Sequence, residues 1–87
     1  MMALLRALAT PSLAPSLSAA LSRQVIAPLA THLKGDEPEM RAALILAHLA
    51  GYESLLRLLQ QPELADAPAA AREAALAVTL QGLVDGR

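Results

Sequence analysis

The sequence predicts an all-α fold, a four-helix bundle with a kinked second helix and two long C-terminal helices. Three observations predict it. Ala and Leu supply 20 and 19 of the 87 residues, and both favour helix. Helix-start signals recur at Thr10-Pro11, at Asp36 with Pro38, and at Asp66 with Pro68. No stretch alternates apolar and polar residues as a strand would. The chain is short enough to form one domain spanning 1–87. Its core has few large side chains to specify packing, since there is one Tyr and no Phe or Trp.

The segment Met1 to Ala9 is apolar apart from Arg6 and has no N-terminal cap, as if the chain began inside a helix. Thr10-Pro11 reads as a cap followed by a first helical position. The second helix is expected from Ser12 or Ser16 to Lys34. Leu13, Leu17, Leu21, Val25 and Leu29 hold an i, i+4 register along it. Pro28 lies inside and removes a backbone bond, which predicts a kink. Gly35 is the expected stop, with His32 and Lys34 suited to the negative end of the helix dipole.

The stretch Asp36–Gln61 is the longest apolar segment and reads as the central helix. Asp36 is the expected cap, Glu39 completes a capping-box spacing, and Pro38 fits the first turn. Pro62 lies just past its far end. At about 100° per residue, Arg41, Ile45, His48, Tyr52, Leu55 and Leu59 share one stripe. Ala43, Ala47, Ala50, Gly51 and Ser54 form a second stripe of small residues, against which a neighbouring backbone could close up. Between Ala42 and Ala50 the helix is apolar nearly all round apart from His48, so it should be covered on more than one side. Pro62–Ala65 reads as a short connection. Asp66 is the expected cap of a last helix, with Pro68 in its first turn and its end near Val84. Leu76, Leu80, Leu83 and Val84 form that helix's apolar edge.

Composition excludes several function classes. Net charge is −1, and neither half is basic enough for a nucleic-acid footprint. There is no Cys, hence no disulfide or thiol chemistry, which fits a reducing compartment such as the cytoplasm. The acid-free N-terminal part carries only Arg6 and Arg23 before His32, and its prolines break an amphipathic transit helix. No uncharged apolar run nears the ~20 residues of a membrane span. No HExxH, glycine-rich phosphate loop or nucleophile–base set is present, so no catalysis, metal or cofactor is expected. Asp36, Glu37 and Glu39 are read as first-turn carboxylates rather than ligands. His48 and Tyr52, one turn apart, put polar tips into an apolar stripe. They fit a hydrogen-bonded core or interface pair, or the polar lining of a small-molecule pocket.

Motifs supply a further expectation. A helix with an internal proline, "APLATHL", is followed by Gly-Asp, then "RAALILAHLAGYESLLRLLQQPELAD", and then an Ala-rich helix ending "LAVTLQGLV". This order resembles the C-terminal regulatory domain of tetracycline-repressor (TetR) family transcription regulators over roughly Met1 to Val84. Arg41, Gly51 and Leu64 fall on positions of the most similar subgroup, whereas Gly51-Tyr52-Glu53 departs from its usual Arg before an aromatic residue. The resemblance implies a ligand-sensing module that forms a homodimer through its two C-terminal helices. Ala43, Ala47, Gly51, Leu76, Leu80 and Leu83 are then the dimer-interface candidates. His48, Tyr52, Ile45 and Leu55 are the pocket candidates for a small apolar ligand. The family's helix-turn-helix is expected to be absent, so DNA would be bound only through a separate N-terminal domain. The competing expectations are a stand-alone helical interaction module without a ligand and, less favoured, a small helical enzyme.

Overall fold

A computed structural model describes residues 14–86. The Thr10 cap and the helix expected over Met1–Ala9 lie outside the described residues. The chain is all-α, with no strand among the described residues. Helix α1 (Ala14–Leu21) passes through a π turn (Ser22–Ile26) into α2 (Ala27–Ala30). The long helix α3 (Pro38–Glu53) ends in a second π turn (Ser54–Leu58). A single turn, α4 (Pro62–Ala65), stands where a plain connection was expected, and α5 (Ala69–Asp85) closes the order.

Each irregularity has a local cause. Pro28 has no N–H, so the carbonyl one turn before it loses its usual partner. The backbone widens there, and the Ala27 N–H reaches back five residues to the Ser22 carbonyl. The predicted kink is thus a π turn just ahead of the proline. In α3 the Ser54 hydroxyl donates to the Ala50 carbonyl (2.8 Å), a back-bond that loosens a helix. The second π turn begins at that residue and is closed by Leu59 N–H to the Ser54 carbonyl. The helix stops at left-handed Gln60 (φ 50°), ahead of Pro62.

The predicted caps require correction. Asp36 does not cap α3. The N-cap is Glu37 in the left-handed region (φ 50°), and no side-chain capping bond forms. A capping oxygen reaches the first-turn amides from an extended backbone, and Glu37 lacks that conformation. Asp66 is not the cap of the last helix either. It is the C-cap of α4, with its N–H on the Pro62 carbonyl, while Pro68 takes the N-cap of α5. Gly35 does turn the chain (φ 94°), but the helix before it has already ended at Ala30. Lys34 and His32 therefore sit beyond the helix, in the corner leading to α3.

Helix α3 touches both α2 and α5. The core between them is small: Ala30, Leu33, Ala42 and Ile45, with Ile26, Leu29, Leu80 and Leu83 packed around it.

Candidate functional site: the two faces of the long helix

The inward face of α3 carries one charged residue. Arg41 is only 6% exposed. Its Nε–H donates to the Asp36 carbonyl (2.8 Å) and its Nη2 to the Lys34 carbonyl. Its Nη1 donates to the Leu83 (2.9 Å) and Val84 (3.2 Å) carbonyls. One guanidinium thus ties the corner before α3 to the last turn of α5. The planar fork suits this, because its donors point in several fixed directions at once. The cation also lies at the negative end of the α5 dipole, whose last carbonyls have no helical partner. Gly86, left-handed at φ 78°, ends α5 beside it: a Cβ there would sit 3.4 Å from Nη1.

Further along, Tyr52 is half-buried and its hydroxyl accepts a bond from Arg72 Nε–H (3.0 Å). Arg72 also donates to the Ala67 carbonyl (3.0 Å), so this pair links α3 to the start of α5. Ile45 is buried in the core. His48 is exposed, with Nδ1 at 2.7 Å from the Leu44 carbonyl, so Nδ1 carries the proton and Nε2 faces solvent. Leu55 is exposed as well. Of the four pocket candidates, then, Ile45 and Tyr52 turn inward while His48 and Leu55 face solvent.

The outward face of α3 is apolar and bare. Met40, Leu44, Leu55 and Leu58 are 37–51% exposed. Between them Ala47 and Gly51 are exposed, and a Cβ built on Gly51 meets nothing within 4 Å. Helix α5 repeats the arrangement with smaller residues. Ala71, Ala75 and Val78 face solvent, Val78 being 76% exposed. Among the described residues no group of His, Asp and Glu is gathered as metal ligands. None of the described helices is long and apolar enough to cross a membrane.

A family profile described as "Tetracyclin repressor-like, C-terminal domain" matches residues 1–84. The chain belongs to this family. No curated protein matches it significantly, and no solved structure does. In this TetR-like domain, two of the positions that carry the resemblance have distinct physical roles. Arg41 is the buried tie, and Gly51 lies open on the outer face.

The interface candidates divide between the two sides of the TetR-like domain. Ala47 and Gly51 are on the exposed face, and Ala43 is half-buried at its margin. Leu80 and Leu83 pack on the chain's own core, and Leu76 is half-buried on the same side of α5. A Leu80→Glu change is therefore expected to lower the stability of the fold itself, by about 2–4 kcal/mol, through an unpaired carboxylate at the core edge. Urea unfolding followed by circular dichroism checks this; an unchanged midpoint would place Leu80 outside the core.

Proposed function

We propose that this chain is the dimerisation and ligand-sensing domain of a TetR-type transcription regulator, pairing with a second copy through α3 and α5. The observation that carries the reading is the bare apolar face of α3. A helix with its core side satisfied by Arg41, Ala42 and Ile45 would be expected to expose polar residues opposite, and this one exposes Met40, Leu44, Leu55 and Leu58.

On the ligand side, Tyr52 is the residue we assign to recognition. Its oxygen accepts from Arg72, which leaves the hydroxyl proton free to donate to an acceptor on a small, mainly apolar molecule. Such a ligand would bridge α3 and α5, the two helices of the dimer.

Sedimentation of the 87-residue chain at micromolar concentration tests the assembly. The expected result is twice the chain mass. A monomer with full helical content would remove the basis of the proposal. Thermal unfolding across a panel of apolar ligands tests sensing: a ligand held at about 100 times its Kd adds roughly 2.7 kcal/mol. That stabilisation should fall to about half in Tyr52→Phe, because losing one hydrogen bond of about 1.4 kcal/mol weakens Kd roughly tenfold.

A further inference from the structure

Two arginine ties hold α3 and α5 together in opposite directions. Arg41 binds the Leu83 carbonyl at one end, and Arg72 binds the Tyr52 hydroxyl at the other. From 41 to 52 on α3 and from 72 to 83 on α5 is eleven residues each, roughly 16 Å. The two ends are filled differently. The core packs at the Arg41 end, around Ala42, Ile45, Leu80 and Leu83. The stripe that carries Ile45 continues through Leu49 to Tyr52, yet Leu49 is 40% exposed. Tyr52, and Leu76 one turn along α5 from Arg72, are only half-buried.

Arg72 is a half-buried cation, and among the described residues no carboxylate forms an ion pair with it. Glu53 is taken by Arg57, and Asp66 and Glu73 are exposed. The setting is already positive, because α5 begins there with no acid in its first turn and no side-chain cap. Arg72 spends Nε–H on Tyr52 and one Nη1–H on the Ala67 carbonyl (3.0 Å), and keeps both N–H bonds of Nη2. Nη2 shares an edge of the fork with Nε, so one of its N–H bonds runs parallel to the one that reaches Tyr52. Tyr52, accepting from Arg72, keeps its own proton to donate. We infer that Arg72 and Tyr52 together hold the carboxylate of an amphipathic organic acid, whose apolar body lies against Leu49 and Leu76. This rests on the ligand-sensing reading above and names the class of ligand. A carboxylate oxygen beside the phenol takes Nη2–H and O–H at once, and its charge offsets both the guanidinium and the positive end of the α5 dipole. A neutral acceptor makes the same bonds more weakly and leaves the cation uncompensated.

The chain has one tyrosine and no tryptophan, so its intrinsic fluorescence reports Tyr52 alone. Hexanoate, octanoate and decanoate are titrated into the 87-residue chain below their micelle concentrations, each against its own primary amide. The acids should perturb the emission with a Kd about tenfold or more below that of the matched amides, since bonds between charged partners are roughly twice as strong as neutral ones. Arg72→Gln keeps neutral donors and should abolish that preference, with circular dichroism confirming its helical content. Arg72→Lys, which restores the charge without the fork, should recover part of it. Acids and amides that bind the wild type with equal affinity would overturn the anion assignment and leave a neutral ligand at the site; this comparison needs no variant to fold. A preference that survives in a helical Arg72→Gln chain would place the carboxylate on another group, with the same consequence. Tyr52 emission unmoved by every acid and every amide would remove this site altogether, and the sensing half of the proposed function with it.

Discussion

Replacing Arg41 with methionine is expected to destabilise the folded chain by about 3–5 kcal/mol. The guanidinium donates to four backbone carbonyls, two in the corner at Lys34 and Asp36 and two in the last turn of α5. Methionine fills much of the space and supplies no donor. A buried acceptor left unmet costs about 1–3 kcal/mol. The corner can loosen and admit water to some of the four, which keeps the total below the simple sum. A domain of this length has roughly 4–13 kcal/mol of stability in all, so the loss is a large share of it. Arg41→Lys should recover only part, because one ammonium cannot span both groups of carbonyls. Urea unfolding at fixed protein concentration measures the change, the concentration being held because association shifts apparent stability. A methionine variant within about 1 kcal/mol of wild type, beyond ordinary surface scatter, would show that the four bonds do not hold the corner to α5.

Arg41 also shows how far the sequence could be read. Helical order, the central position of the Asp36–Gln61 segment and the bend at Pro28 follow from proline spacing and apolar periodicity, which are local properties. A cation on the same stripe as Ile45 and Tyr52 was itself a signal, since a charge on a buried face must find partners. The identity of those partners was not legible. Backbone carbonyls carry no sequence label, and two of them lie 42 and 43 residues away. The failed cap at Asp36 has the same origin. With its Lys34 and Asp36 carbonyls turned onto Arg41, the corner adopts left-handed Gly35 and Glu37, and a long-range tie overrides the local preference of Asp36. The two faces of α3 were only half separable. The small stripe was visible from spacing, but only the fold distinguishes Ala47 and Gly51, which are bare, from Ala43 and Ala50, which are half-buried. In the same way the sequence places Leu80 and Leu83 on an apolar edge of the last helix, and the fold shows that part of each packs on the chain's own core.

Gly51→Leu is expected to weaken dimerisation by roughly 30- to 20,000-fold while leaving the single chain helical. Within one chain the substitution is harmless. A Cβ at Gly51 meets nothing within 4 Å, and the backbone there is ordinary helix. Leucine is also a better helix former than glycine, by roughly 0.8–1 kcal/mol in the interior of a helix. Between two chains the sign reverses. In the proposed dimer the second copy lies on the bare face of α3, where Ala47 and Gly51 leave room for its backbone, and a leucine on each copy must push the two apart or force its neighbours from their rotamers. Overpacking costs typically 1–3 kcal/mol. A two-fold axis imposes it twice, giving about 2–6 kcal/mol, at 1.4 kcal/mol for each tenfold in Kd. The variant therefore separates a dimer contact from a folding role, which a core substitution such as Leu80→Glu cannot do. Sedimentation over a dilution series gives the association constant, and circular dichroism on the same samples gives the helical content. A Gly51→Leu chain that associates as tightly as wild type would mean that this face is not where the copies meet.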